Sequence, residues 1–207
     1  MVRLNGDLMR YKGEKIMWWK LRDLFIGAAQ GGNVEELRSI VEEYPEAPAK
    51  WVGGLFGTVL FFAAQEGKLD AVKFLMENGA KPGVAHNDGL SPLVAAAFHG
   101  HAEVVEYLVK QGADVDETDD RIGTGGYTAL AWAAYHGHPE TARCLLERGA
   151  NSGLKNDSGK TARQIAVERH HPEVAAVIDS FDTGTFMYKA GTEDPVKVSK
   201  PISFKMK

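Results

Sequence analysis

The sequence is poor in residues that would announce several kinds of protein. It has one cysteine, Cys144, in 207 residues. That excludes an intramolecular disulfide and a thiolate-rich zinc site. No apolar run approaches the roughly 20 residues that a bilayer-spanning helix needs, so no membrane span is expected. Residues 1–20 scatter Arg3, Asp7, Arg10, Lys12, Glu14 and Lys15 among the apolar positions. No continuous apolar segment of the kind a secretory signal carries is left. The expectation is a reducing, intracellular setting, cytoplasmic with the nucleus also open. An excess of positive charge is missing as well: 24 Lys and Arg stand against 28 Asp and Glu, for a net charge of −4. A general nucleic-acid binder needs a basic surface to neutralise phosphates, so this balance speaks against one, although a local basic patch stays open. The His-Glu-x-x-His pair of a zinc protease is absent.

What is present is ordinary in composition, 44% hydrophobic and 25% charged, and unusual in order. Ala63-Ala64-Gln65-Glu66-Gly67 returns as Ala96-Ala97-Phe98-His99-Gly100 and as Ala133-Ala134-Tyr135-His136-Gly137, with steps of 33 and 37 residues. Gly79-Ala80, Gly112-Ala113 and Gly149-Ala150 move in the same register. Ala28-Ala29-Gln30-Gly31-Gly32 is an earlier copy, and Thr161-Ala162 through Ala166-Val167 a later one, so five units result.

Each unit predicts two helices. Thr58, Ser91, Thr128 and Thr161, with Asp23 in the first unit, are the expected N-caps of the first helix, because their side chains can satisfy free backbone N–H groups. The alanine pairs keep one face small for close packing. Gly67, Gly100 and Gly137 then supply the left-handed turn that ends the helix. Pro139 and Pro172 open second helices, where a missing N–H costs nothing. Val72, Leu75 and Met76 keep the i, i+3, i+4 spacing of a buried stripe, as do Val105, Leu108 and Val109, and Ala142, Leu145 and Leu146. No unit can bury such a stripe alone, so the units must stack.

Gly89-Leu90-Ser91-Pro92-Leu93-Val94-Ala95-Ala96-Ala97 and Gly126-Tyr127-Thr128-Ala129-Leu130-Ala131-Trp132-Ala133-Ala134 resemble the ankyrin signature. So do Gly100-His101, Gly137-His138 and the Gly-Ala-Asp-Val run at 112–115. The resemblance covers about residues 21–180. It departs where the family's helix-1 histidine is replaced by Phe61, Val94, Ala131 and Gln164, and where Arg163 stands for leucine in a wetter last unit. The implied fold is an all-α ankyrin-repeat solenoid of about five helix-turn-helix units with short β-hairpin loops. Its expected divisions are a 1–20 extension with a possible hairpin, units at about 21–55, 56–88, 89–125, 126–157 and 158–180, and an extended 181–207 tail. The atypical first and last units read as caps.

The resemblance also implies a recognition scaffold that binds a protein or peptide, is expected to be monomeric, needs no cofactor or metal and catalyses nothing. Fold alone does not give function, so the site needs its own argument. Carried over by position, the concave face takes Gln65 and Glu66, Phe98 and His99, Tyr135 and His136, with Glu168 and Arg169 from the last unit. Leu90 and Tyr127 join from the hairpin arms, with Asn87 and Asp88 nearby. Large, stiff, partly polar side chains make good contact anchors. The bland alternative is that the rings only cover neighbouring helices, and Trp132 stands between core and groove.

Other stretches carry open alternatives. Asp114, Asp116, Glu117, Asp119 and Asp120 form an acidic finger before an inserted Arg121–Gly126 stretch. Either it attracts a basic partner or it is a solvated hairpin tip; calcium-loop spacing is absent. Tyr44–Gly57 reads as a loop in which Trp51 packs on the first helices. Val2–Leu4 and Asp7–Met9 flank Asn5-Gly6, a two-residue hairpin signal; Trp18 and Trp19 follow, one of them covering the open end of the stack. The 27-residue tail reaches up to about 90 Å extended, enough to fold back along the stack with Phe186, Tyr188 and Phe204 as anchors, or it is a linker.

Enzymatic motifs fail one by one. Ser158-Gly159-Lys160-Thr161 resembles the end of a phosphate-binding loop, but Leu154 occupies the earlier glycine position. Gly123-Thr124-Gly125-Gly126 is too short for a dinucleotide loop. His101, His138 and His171 begin second helices and read as structural, and Cys144 reads as core. One alternative to the binding scaffold survives: a small-molecule or catalytic groove in which His99, His136, Tyr127, Tyr135 and Glu66 do acid–base work, closed by the tail.

Overall fold

In a computed structural model, residues 8–44, 55–83, 90–119 and 125–183 are described. Among the described residues, five helix pairs follow one another. They are α1 (Trp18–Gly31) with α2 (Val34–Glu43), α3 (Leu55–Gln65) with α4 (Leu69–Glu77), and α5 (Pro92–Phe98) with α6 (Ala102–Lys110). α7 (Ala129–His136) with α8 (Pro139–Glu147), and α9 (Ala162–Glu168) with α10 (Pro172–Asp182), complete the series. First helices pack on first helices in the order α1, α3, α5, α7, α9, and second helices form a parallel row outside them. The architecture is the expected ankyrin solenoid.

The core runs lengthwise through this stack rather than to a single centre. Ala63, Ala64, Ala96, Ala97, Ala133 and Ala134 are all completely buried, each pair sitting where a larger side chain would hold the next first helix away. Val72, Leu75, Val105, Leu108, Ala142 and Leu145 close the core between the two rows.

Local signals place most helix starts. Ser91, Thr128 and Thr161 accept hydrogen bonds from the N–H groups of Val94, Ala131 and Gln164, and Gln164 bonds back to Thr161 in a full capping box. Each such cap is worth about 1 kcal/mol. Two expected caps fall elsewhere. Thr58 and Asp23 lie inside α3 and α1, which begin three and five residues earlier, at Leu55 and Trp18. The Tyr44–Gly57 stretch is therefore helical from Leu55 onward, and Trp51 lies outside the described residues. At the other end α10 carries Phe181 and Asp182, which were expected to start the tail. Phe181 packs against the core, and that burial extends the helix. The tail from 184 lies outside the described residues, its Phe186, Tyr188 and Phe204 included.

The N-terminal segment folds as a hairpin of β1 (Leu8–Tyr11) and β2 (Glu14–Met17), with Leu8 opposite Met17. Its turn is Lys12-Gly13; the Asn5-Gly6 pair lies outside the described residues. Both turn residues have positive φ (49° and 82°), the geometry that two-residue hairpins favour. The reason for this choice is tertiary. The Lys12 backbone N–H donates to the Glu43 carboxylate at 3.0 Å, and its ammonium pairs with Glu36 at 2.8 Å, so the turn docks on α2. Trp19, in the first turn of α1, is 55% exposed, and the Trp18 side chain lies outside what is described.

Candidate binding face

The left-handed residues that end the first helices, Gly67, Gly100, Gly137 and His170, mark one edge of the stack unit by unit. The residue just before each gives a column of Glu66, His99, His136 and Arg169. The residue before that gives Gln65, Phe98, Tyr135 and Glu168, and the residue after gives Lys68, His101, His138 and His171.

The third column is structural, as expected. His101 Nε2 lies 2.9 Å from the Gln65 carbonyl oxygen, and His138 Nε2 lies 3.1 Å from that of Phe98. A carbonyl only accepts, so these nitrogens carry the proton and donate. Each ring reaches back one unit and lies flat against the turn glycine there: His101 over Gly67, His138 over Gly100, His171 over Gly137. A side chain at any of those glycines would collide with the ring.

The first two columns merge into a strip of rings. Phe98 and His136 have centroids 4.1 Å apart across the unit boundary, and Phe98 also meets His99 at 4.9 Å. Tyr135 touches His136 at 4.9 Å and lies edge-on to Tyr127 at 6.0 Å. The Arg169 guanidinium closes the strip 3.6 Å from the centre of the Tyr135 ring, a cation–π contact. Phe98, Tyr127, Tyr135 and His136 are half-buried, and His99 and Arg169 are exposed. Gln65 and Glu66 extend the face by one unit, tied together by a 3.3 Å hydrogen bond.

Two selected residues are not on this surface. Trp132 is 8% exposed and lies beneath the strip, with Tyr127 at 4.7 Å and Phe98 at 5.0 Å. It is the floor that holds the outer rings upright. Leu90 is also 8% exposed, turned into the core beside Ser91 and Pro92. Asn87 and Asp88 lie outside the described residues.

Electrostatics separates the two imidazoles of the first column from ordinary surface histidines. Burial lowers the pKa of His99, with His101 adding repulsion and Glu66 opposing it. Burial likewise lowers that of His136, reinforced by His138, His99, Arg169 and His171. His136 Nε2 is covered and has no hydrogen-bond partner among the described residues, so a proton added there would find no acceptor. Cys144 points away from this face. Burial pushes its thiol up to about 11, and Sγ sits 3.7 Å from the Ala102 carbonyl oxygen, a core environment.

The acidic finger is largely consumed by hydrogen bonds within the stack. Asp116 accepts the Asn151 N–H of the next unit at 2.9 Å, and Glu117 accepts the hydroxyl of Ser91, the N-cap of α5. Asp119 is 2% exposed, with its N–H donating to the Tyr127 carbonyl at 2.9 Å. Only Asp114 is plainly exposed, and its carboxylate accepts the Asp116 N–H. Asp120 lies outside the described residues. The sequence spacing hid this, because the partners stand 26 and 35 positions away.

No group of three or more His, Cys, Asp or Glu among the described residues could hold a metal ion. No helix among them is long and apolar enough to cross a membrane. A shallow apolar depression lies on the last unit, between Val167, His171, Pro172, Ala175 and Asp179, away from the aromatic strip.

Comparison with known proteins agrees with the fold. Residues 25–119 match a family described as ankyrin repeats (3 copies), and residues 93–146 one described as ankyrin repeats (many copies). The chain is 35% identical over 88 residues to the human Notch-regulated ankyrin repeat-containing protein, which covers 42% of this chain and 77% of that protein. It is 36% identical over 94 residues to the probable E3 ubiquitin-protein ligase XBOS33 of Oryza sativa subsp. japonica, covering 45% of this chain but 18% of the ligase. Ankyrin repeat and SAM domain-containing protein 6 of Rattus norvegicus is 36% identical over 99 residues, 46% of this chain and 11% of the relative. The chain thus spans a small part of the two longer relatives.

Proposed function

Since the chain belongs to the ankyrin-repeat family, we propose that it is a binding scaffold that holds a partner protein or peptide on the concave strip of its third to fifth units, and that it carries out no reaction. The observation behind the reading is the unbroken run Phe98–His136–Tyr135–Arg169, with rings at 4.1 and 4.9 Å and the guanidinium at 3.6 Å. A solenoid needs only small or polar residues at these positions to stay folded. Half-exposed rings over a rigid tryptophan floor are instead what an interface centre is built from. The two imidazoles argue for contact rather than catalysis. Each packs on the Phe98 ring, and the depression on the last unit includes none of these rings. An intracellular setting belongs to the proposal and rests on the free thiol of Cys144.

The test is affinity capture from the native source with wild-type protein and the Phe98→Ala/Tyr135→Ala double variant, both verified as folded by circular dichroism. A partner retained by wild type and lost by the variant supports the placement. Equal retention by both moves the interface elsewhere on the stack.

A further inference from the structure

The first column changes sign along the stack. It begins with Glu66, passes through His99 and His136, and ends with Arg169. Beside it runs the His101, His138 and His171 column, so the concave edge of units three to five gathers cationic or protonatable groups. His99 and His101 stack at 6.2 Å, and His136 and His138 repeat the same arrangement at 6.2 Å. Glu168, the acidic residue of the neighbouring column in the last unit, is paired with Lys160 at 2.7 Å. Arg169 makes no ion pair among the described residues and lies on Tyr135 with its N–H groups uncommitted to any carboxylate.

We propose that the strip takes an acidic peptide segment, whose carboxylates meet the His99–His136–Arg169 column while an apolar side chain lies on Phe98 and Tyr135. The inference rests on the reading that this strip is the binding face, and it adds the chemistry of the occupant. Charge complementarity selects that occupant. The chain's own residues 184–207 carry five lysines against Glu193 and Asp194 and would be repelled. A carboxylate supplies the anion that a protonated imidazole here lacks, and it offsets the mutual repulsion of His99, His136, His138, His171 and Arg169. Glu66 is the one acidic group facing His99, and it marks the end of the anionic footprint. Binding is therefore accompanied by proton uptake and tightens as pH falls toward the range where imidazole titrates, while glutamate carboxylates stay ionised.

The experiment pans a random peptide library displayed on phage against the full chain at about pH 6 and about pH 7.5, with the Phe98→Ala/Tyr135→Ala variant run in parallel. Enriched peptides are then synthesised and titrated by fluorescence anisotropy. The expected result is enrichment of acidic sequences bearing an apolar residue, with affinity about tenfold higher at the lower pH. Arg169→Gln, an exposed position whose folding is checked by circular dichroism, should weaken binding at both pH values. His99→Gln/His136→Gln should abolish the pH gain. Neutral or basic peptides that are enriched and lost on the Phe98→Ala/Tyr135→Ala variant would overturn the acidic occupant and leave the binding face standing. Acidic peptides that hold equally to that variant, or no enrichment at either pH, would overturn both. A single-stranded RNA that outcompetes the peptides and loses affinity with Arg169→Gln would overturn the peptide in favour of phosphate.

Discussion

His138 Nε2 lies 3.1 Å from the backbone carbonyl oxygen of Phe98, so the residue at the centre of the exposed strip is held from below by the next unit's helix cap. The same imidazole lies flat on Gly100, where an added Cβ would meet Nδ1 at 2.7 Å. The scaffold and the proposed binding face thus share an anchor point. Strain at one should register at the other.

Gly100→Ala is expected to destabilise the stack by about 1–3 kcal/mol, combining the left-handed backbone with the collision. Gly112→Ala has a similar φ, 93° against 80°, and open space around it, so it should cost less. Urea denaturation of the two variants separates the terms. Equal losses would mean that the His138 ring is not held against Gly100.

Asp116→Ala removes the carboxylate that receives the Asn151 N–H. Stability should drop by about 1 kcal/mol, the worth of a modest hydrogen bond to a charged group that is partly solvated. Partner capture should be unchanged. Loss of capture with stability intact would return the acidic finger to the role of a contact surface.

Thr141 is fully buried in α8, and its hydroxyl has no hydrogen-bond partner among the described residues. Thr141→Val keeps the branched shape and removes the stranded polar group. An increase in stability of up to about 1 kcal/mol is expected from thermal or urea denaturation. A decrease would reveal that the hydroxyl is bonded in solution.

His99 and His136 have folded pKa values below the unfolded value. The unfolded chain therefore binds more protons in this range, and stability must fall as pH falls. Their contribution is complete above the unfolded imidazole pKa of about 6.5 and is lost as pH drops through the lowered folded values. Denaturation midpoints between about pH 5 and pH 8 should slope accordingly, and the slope should flatten in His99→Gln/His136→Gln. A double variant as acid-sensitive as wild type would place the protons on other groups.

The sequence alone determined the repeat, because helix caps, left-handed glycines and the i, i+3, i+4 stripe are local signals that recur at nearly constant spacing. Ser91, Thr128 and Thr161, the turn glycines and the buried stripes were all legible on those grounds. The columns beside the turn residues were legible too, since equal positions in stacked units must align. Which members of those columns meet water was decided by the tertiary structure. Trp132 and Leu90 sank because neighbouring units close over them. Asp116 and Glu117 were drawn to partners far along the chain, Asn151 in the next unit and Ser91 at the start of their own. The N-terminal turn settled at Lys12-Gly13, where α2 offers Glu36 and Glu43. Exposure and hydrogen bonding across units are properties of pairs far apart in the chain, and a periodic pattern read along one strand of sequence does not contain them.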